Sequence, residues 1–305
     1  MYEEVLAHFV TEDYALPGAK EGKGALMEEE KFWLSRECLL RYLRAVKWHS
    51  ADQAIKRLED TLKWRREFGI YEMTDSHVEP ELVTGKMIIS GYDTQRRPAL
   101  YLLPSRQNTE ESHRQIEVTV WCLERTLDLA GPGVESLTLM INYADRGKNP
   151  SMSTSRTVLS ILQNHYPERL GAALILNLPF LLNAFYKLIT PFIDPITRAK
   201  MKFNPSPITD GLFTPEQLFK PGGWGGSVEF EYEHEKYFKP LVELCQQRAE
   251  AQMKAWREMG GGVGLSEWDF KTKAEGIKPE AEHTEVEKVA EAVEVETPEV
   301  VGVAA

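Results

Sequence analysis

The sequence predicts an α/β protein in which a group of N-terminal helices precedes a mostly parallel sheet. With 305 residues, the chain is long enough for one large domain or two modest ones. Continuous apolar runs at Leu137 to Ile141 and Leu174 to Leu178 are typical of strands that are buried on both faces. Because these runs alternate with amphipathic segments of helical period, we expect helices to cover the sheet.

The N-terminal part of the chain is predicted to be helical after an irregular start. Residues 1–30 are mixed in character and are interpreted as an arm. Helices are expected over residues 31–80, where Leu39, Tyr42 and Leu43 begin an apolar stripe. Ser50 fits the N-cap of the next helix, and Gly69 fits its C-terminal stop.

Residues 81–240 carry the predicted sheet. Short apolar runs at 87–89 and 99–103 flank a turn, and residues 111–129 have the apolar spacing of a helix. After the strand at 137–141, a helix is expected at 157–162 and a further buried strand at 174–178. A short strand is expected at 201–203.

The C-terminal part of the chain divides at a run of glycines. A helix is predicted over residues 241–259, and the glycines from Gly260 onward indicate a break. Residues 260–305 are therefore interpreted as a flexible acidic tail. Its last thirty residues hold eight Glu and two Lys, and so account for −6 of the net charge of −11.

Composition and charge exclude several classes of function. The acidic balance, 36 Lys and Arg against 47 Asp and Glu, argues against broad binding of nucleic acid.

The start of the chain lacks the basic and apolar regions of a signal peptide, and the richest apolar stretch is too short to span a bilayer. Three widely separated cysteines fit a reducing compartment. We therefore expect a cytoplasmic protein.

The motifs of common enzymes and cofactor sites do not occur in the sequence. It has no HExxH, no G-x-S-x-G, no P-loop and no dinucleotide-binding glycine pattern. The histidines lack the spacing of zinc ligands, and His165 is interpreted as a structural residue at a helix end. We therefore expect a binding protein without catalytic residues, cofactor or metal.

Two stretches of sequence resemble a known family of lipid-binding proteins. Leu39 to Trp48, followed by Trp64 to Gly69, is similar to the N-terminal helical lobe of the CRAL-TRIO family. Tyr166 to Gly171, Asn177 to Phe180 and Pro191 to Thr197 resemble, in order and spacing, the lipid-binding lobe of the fungal phosphatidylinositol transfer proteins. The sequence after Ile141 is similar to the drug-resistance branch of these proteins, which is associated with phosphatidylinositol and sterol-like ligands.

This resemblance implies an apolar cavity with a sheet floor and a mobile gate helix. The gate and cavity residues would be Leu181, Leu182, Phe185, Leu188 and Ile189. From periodicity alone, the same residues fit an ordinary core better.

The resemblance also implies the residues that contact the lipid headgroup. Glu168 matches the family's inositol-contacting Glu, Thr197 and Lys200 match its headgroup-contacting Thr and Lys, and Lys47 matches a basic residue of the N-terminal lobe. The alternative is an ion pair at a helix end for Glu168 and surface charges for the two lysines. Val46 stands where relatives often carry an Arg.

Binding of phosphatidylcholine is expected to be weak. Ser136 and Thr138 resemble a pair that contacts its headgroup in relatives, but the segment that follows the pair differs. Both are interpreted instead as strand residues with locally satisfied hydroxyls.

The predicted function is that of a phosphatidylinositol transfer protein, which binds one lipid and exchanges it between membranes. The expected partners are phosphatidylinositol, a transient membrane surface and a sterol-like second ligand, with peripheral association to intracellular membranes. The alternatives are a carrier of a sterol or another apolar ligand, and a membrane-sensing adaptor whose acidic tail recruits a partner.

Overall fold

The structure is a computed structural model that describes residues 1–18, 24–144, 151–180 and 195–276. Five helices come first: α1 (Tyr2–Val10), α2 (Glu28–Trp33), α3 (Arg36–Ala45), α4 (Ala51–Phe68) and α5 (Asp75–Leu82). The strands are β1 (Met87–Tyr92), β2 (Pro98–Leu102), β3 (Leu137–Asn142), β4 (Leu170–Leu176) and β5 (Met201–Phe203). The remaining helices are α6 (His113–Asp128), α7 (Met152–His165), α8 (Pro195–Ala199), α9 (His234–Glu258) and α10 (Glu267–Glu275).

The N-terminal helices begin and end where local side chains satisfy free backbone groups. Ser35 accepts a hydrogen bond from the Cys38 N–H at the start of α3, and Ser50 accepts one from the Gln53 N–H at the start of α4. Gly69 ends α4 in the left-handed conformation, at φ 76°. The prediction of helices within residues 31–80, with these two ends of α4, is confirmed.

The interpretation of residues 1–30 as an arm is wrong for its first ten residues. They form α1, and its Val5 and Phe9 are buried in a core with side chains of α3 and α4 such as Leu39 and Leu58. The spacing of four residues places Val5 and Phe9 on one helical face, so burial of that face stabilises the helix.

The sheet has five strands in the order β1-β2-β3-β4-β5. The β1 and β2 strands pair antiparallel, with Ile88 opposite Tyr101, and the other neighbours pair parallel. The predicted α/β class with a mostly parallel sheet is confirmed. The strand expected at 174–178 instead spans 170–176, because pairing with β3 begins at Leu170 and the chain leaves the strand at Asn177, where φ is 55°.

Two groups of elements pack against the sheet. The α6 and α7 helices contribute Ile116, Leu123 and Ile161 to a cluster with Leu137 of β3. Segment 213–224 and α9 contribute Phe219, Trp224 and Tyr237 to a larger cluster with Tyr101 and Met140. The sheet is therefore a covered layer, as the continuous apolar strands predict.

The expectation of a flexible tail from residue 260 is wrong as far as Gly276. The segment after α9 turns back: the Gly264 N–H donates to the Leu34 carbonyl (2.8 Å), and the Arg36 N–H donates to the Leu265 carbonyl (2.9 Å). The α10 helix that follows buries Phe270 beside Trp256 and Phe32. Residues 277–305 lie outside the described part of the chain.

Candidate functional site

Glu168 lies in the tight turn between α7 and β4. Its φ is 60°, in the left-handed region that few side chains other than Gly and Asn adopt at low cost. The preceding Tyr166 and Pro167 are buried, whereas the Glu168 side chain keeps 36% of its surface exposed. The turn therefore exposes the Glu168 carboxylate to solvent, while the two residues before it are packed in the interior.

Arg44, in the last turn of α3, contacts this carboxylate directly. Its Nε donates to Glu168 Oε2 at 2.6 Å, and its own side chain is also 36% exposed. Three residues further along, Lys47 has a φ of 53° and lies in the turn that ends α3, exposed to solvent. The Arg44 contact thus brings the chain segment that carries Lys47 to the Glu168 turn.

Lys200 lies at the same end of β4 as Glu168. Its Nζ donates to the carbonyl oxygen of Leu170 at 2.6 Å, two residues along the chain from Glu168. The Lys200 backbone also joins the sheet edge, since its carbonyl accepts from the Ala173 N–H at 2.9 Å. Thr197 is tied to Lys200 through the bond from the Lys200 N–H to the Thr197 carbonyl, at 3.1 Å.

The structure therefore brings Glu168, Lys200 and Thr197 to the start of β4 and β5, with the segment of Lys47 held beside Glu168. A carboxylate accepts hydrogen bonds from hydroxyl groups, and an ammonium group donates to phosphate oxygens. These are the two kinds of side-chain group that a ligand with hydroxyls and a phosphate would contact. The five residues expected to form the gate, Leu181, Leu182, Phe185, Leu188 and Ile189, lie outside the described residues.

Arg44 belongs to a cluster of charges that sequence reasoning did not find. Arg41 donates to Glu135 (2.7 Å) and to Glu267 (3.3 Å), although its side chain is only 2% exposed. Burial by itself raises the pKa of the Glu267 carboxyl, but Lys271, Arg41 and Arg169 outweigh it and hold that pKa well below the usual range. Glu267 therefore stays ionised in the interior.

Thr138 is satisfied within the sheet, as expected from the sequence. Its hydroxyl donates to Asp93 Oδ2 at 2.6 Å, and Asp93 also accepts from Arg97 Nε at 2.5 Å. The Arg97 side chain passes directly over Gly171 of β4, where a Cβ would collide with it. Because Asp93 holds the Arg97 side chain in this place, glycine is favoured at position 171.

His165 is a packing residue at the end of α7. Its ring stacks on that of Trp64 at 4.3 Å with an interplanar angle of 3°, and its Nδ1 lies 3.1 Å from the Thr61 hydroxyl. Burial, with smaller contributions from Arg57 and Arg65, lowers the pKa of His165 to about 4. The imidazole is therefore neutral at physiological pH.

The described residues also bear on metal binding, on the state of the cysteines and on membrane-spanning helices. Within them, no group of three His, Cys, Asp or Glu could hold a metal ion. Cys38, Cys122 and Cys245 are free and buried. None of the described helices is both long enough and apolar enough to cross a bilayer.

An apolar pocket between β1 and α9, lined by Ile89 and Leu241, lies at the opposite edge of the sheet from Lys200.

Comparison with known proteins matches both parts of the chain to one family. The CRAL/TRIO domain matches residues 82–223, and the CRAL/TRIO N-terminal domain matches residues 1–60. A CRAL-TRIO domain-containing protein of Schizosaccharomyces pombe is 48% identical over 91% of this chain, which spans 27% of that protein.

Two other relatives align with this chain over a larger share of their own length. The phosphatidylinositol transfer protein PDR17 of Saccharomyces cerevisiae is 38% identical over 91% of this chain and 84% of its own. The SEC14 cytosolic factor of Candida glabrata is 30% identical over 55% of this chain and 62% of its own. From the extent of these matches, the chain belongs to the CRAL-TRIO family, in the branch of the fungal phosphatidylinositol transfer proteins.

Proposed function

We propose that this protein binds one phosphatidylinositol molecule and transfers it between membranes, without catalysing a reaction. The relative PDR17, which matches over most of both chains, is named as a phosphatidylinositol transfer protein and aligns with 91% of this chain. Lipid exchange requires only binding and release, which agrees with a sequence that lacks the motifs of catalysis.

One observation in the structure supports this function most directly. Lys200 Nζ bonds the carbonyl of Leu170, the first residue of β4, and Glu168 lies two residues before Leu170, so a carboxylate and an ammonium group lie at the same end of that strand. Phosphatidylinositol presents the matching pair, since its ring hydroxyls can donate to a carboxylate and its phosphodiester can accept from an ammonium group.

The remaining headgroup residues are assigned by the same chemistry. Thr197, whose backbone carbonyl accepts from the Lys200 N–H, would supply a hydroxyl, and Lys47 would supply a second ammonium group from the N-terminal helices. Both would approach the phosphodiester, while Glu168 holds the inositol ring. Phosphatidylcholine has no ring hydroxyl for Glu168, so we propose that it binds much more weakly.

Transfer also requires that the acyl chains leave the bilayer at little cost. Moving a CH₂ group from water to an apolar environment is favourable by about 0.8 kcal/mol, so a lipid with two long chains leaves a membrane only for another apolar environment. We propose a peripheral, transient contact with intracellular membranes in which the lipid passes directly between bilayer and protein.

The test is a transfer assay with purified full-length protein and two populations of vesicles. We expect phosphatidylinositol to move without nucleotide or metal, phosphatidylcholine to move much more slowly, and native mass spectrometry to show one phosphatidylinositol per chain. Folded protein that moves neither lipid, or that carries only a sterol, would contradict the proposal.

Removal of the acidic tail separates a carrier from an adaptor. The deletion should cover residues 277–305 only, because α10 ends at Glu275 and buries Phe270 and Glu267 against the rest of the protein. A carrier keeps its full transfer activity after this deletion. An adaptor whose activity depends on the tail loses that activity after the deletion.

A further inference from the structure

An unbroken chain of alternating charges runs from the C-terminal helix to Glu168. Glu267 Oε2 lies 3.3 Å from Arg41 Nη1, and that Nη1 lies 2.7 Å from Glu135 Oε2. The same Glu135 oxygen lies 3.4 Å from Arg44 Nη2, and Arg44 Nε lies 2.6 Å from Glu168 Oε2. Each interior member therefore contacts two charges of opposite sign.

The chain of charges is buried at one end and open at the other. The side chains of Arg41 and Glu267 are 2% and 9% exposed, Glu135 is 21% exposed, and Arg44 and Glu168 are each 36% exposed. Water screens charges least in the interior, so the buried end is held most strongly. The open end lies where the proposed lipid headgroup binds.

The buried end is fixed by further contacts with α10 and its surroundings. Lys271 Nζ lies 2.9 Å from Glu267 Oε1, and the Ser35 hydroxyl lies 3.3 Å from Oε2. The Glu267 backbone N–H donates to Glu37 at 2.5 Å. The Glu267 carboxylate is held by two cations and a hydroxyl, and its backbone is anchored to Glu37, so it has little freedom to move and Arg41 is fixed with it.

We propose that Arg44 is a positioning residue that orients the Glu168 carboxylate for the inositol ring, and that Glu267 fixes Arg44 through Arg41 and Glu135. This inference rests on the proposed function. Arg44 contacts Oε2 through Nε, which leaves lone pairs of the carboxylate for ligand hydroxyls. Binding then costs less side-chain entropy than it would with a freely rotating Glu on an exposed turn.

The consequence is that headgroup recognition depends on residues that do not touch the lipid. The C-terminal helix contributes to selectivity for inositol, although α10 is about a hundred residues away from Glu168 in sequence.

The decisive experiment is a double-mutant cycle on phosphatidylinositol loading, with Glu168→Gln, Arg44→Met and the double variant. We expect Glu168→Gln to reduce loading about tenfold or more, and Arg44→Met to reduce it about three- to tenfold. Because Arg44 acts only through Glu168, we expect the double variant to load lipid as the Glu168→Gln variant does. A merely structural Arg44 would lower loading by the same factor in both backgrounds.

A matched control is available elsewhere on the surface. Arg257 forms an exposed ion pair with Glu28, at 2.7 and 2.8 Å, with side chains 55% and 46% exposed. Arg257→Met therefore removes the same chemistry at a place outside the chain of charges. We expect its loading to equal that of the wild type.

The C-terminal end is tested with Glu267→Gln, and with Glu30→Gln as the control for loss of a buried carboxylate. Glu30 is fully buried and pairs with Arg66. We expect Glu267→Gln to reduce phosphatidylinositol loading about two- to fivefold and to have no further effect in the Glu168→Gln background. Thermal melts identify the fraction of each variant that is folded.

Several results overturn the inference, and they can be told apart from failure of the proposed function. Unchanged loading in Arg44→Met, or equal factors in the two backgrounds, overturns the positioning role while the transfer function stands. Unchanged loading in Glu168→Gln overturns the proposed headgroup site together with the inference. Wild-type protein that loads no phosphatidylinositol overturns the proposed function itself.

Discussion

Two contacts between the N-terminal helices and the sheet region differ in chemistry and exposure. At the first, which we call the α4 contact, Trp64 stacks on His165, and buried Arg65 donates to both oxygens of Glu124 at 2.9 and 3.2 Å. At the second, the α3 contact, Arg44 and Glu168 meet while each is 36% exposed.

The difference separates a structural contact from one that can respond to a ligand. Burial by itself raises the pKa of the Glu124 carboxyl, but Arg65 and Tyr166 outweigh it and lower that pKa to about 2. Glu124 thus stays ionised and accepts three hydrogen bonds from Arg65 and Tyr166. Among the described residues Glu168 has one charged partner, Arg44, and it is open to solvent, so a ligand can bind there without unfolding the contact.

The largest expected effect is loss of stability from a change at the α4 contact. Arg65→Met leaves the Glu124 carboxylate, whose side chain is 20% exposed, without its main charged partner. Removing one partner of a buried pair costs about 3–5 kcal/mol of the free energy of unfolding. We expect a melting temperature lowered by several degrees, with unchanged preference for phosphatidylinositol over phosphatidylcholine in the protein that remains folded.

Lys56→Met is the control for this prediction. Lys56 lies on the same helix and forms an exposed pair with Asp60, so its removal should cost less than about 1 kcal/mol. Equal melting temperatures for Arg65→Met and Lys56→Met would show that the α4 contact contributes no more to stability than an exposed ion pair.

The next largest effect concerns binding rather than stability. We expect Lys200→Ala to weaken phosphatidylinositol binding by about ten- to a hundredfold, since hydrogen bonds to charged groups contribute about 1.5–3 kcal/mol. Lys202→Ala is the matched control, because Lys202 is an exposed lysine two residues along the same edge of the sheet. Binding measured on both variants, with melting curves, tests the assignment.

Two outcomes would contradict the assignment of Lys200. Equal weakening in Lys200→Ala and Lys202→Ala would mean that the edge attracts the lipid only by its net charge. A parallel loss of sterol binding and of melting temperature in Lys200→Ala would mean that the bond to the Leu170 carbonyl holds the fold and not the headgroup.

Local patterns explain why much of the fold could be predicted. The apolar runs of β3 and β4, the Ser50 cap and the stop at Gly69 each depend on residues within a few positions of one another. The α1 and α10 helices escape such patterns because each is stabilised by distant partners: Val5 packs on α3 and α4, and Phe270 packs on Phe32.

The same distinction applies to the candidate site. Glu168, Thr197, Lys200 and Lys47 are identified through motifs that resemble a family, since nothing in their local spacing indicates a site. The partnership of Arg44 with Glu168 joins residues 124 positions apart, and that of Arg41 with Glu267 joins residues 226 positions apart. In the sequence, Arg41 and Arg44 are visible only as charged residues beside the apolar stripe of α3, and their position does not specify a partner.

The smallest expected effect is a pH dependence of stability at the α4 contact. His165 has a pKa of about 4 in the folded protein, below the value near 6.5 of an unfolded chain. The folded state therefore disfavours the charged imidazole. This contribution to stability is fully present above pH 6.5 and is lost as the pH falls from there through 4, because the unfolded state takes up the proton first.

The measurement compares the free energy of unfolding of the wild type and of His165→Gln at pH 7 and at pH 4.5. Glutamine does not titrate, so the difference between the two curves isolates the histidine from the carboxylates that both proteins share. Allowing for partial exposure of the ring, we expect the wild type to lose about 1–2 kcal/mol more than the variant over this range. A difference that does not change with pH would mean that the His165 ring is accessible enough to be protonated in place, and that the α4 contact is more open than its stacked geometry indicates.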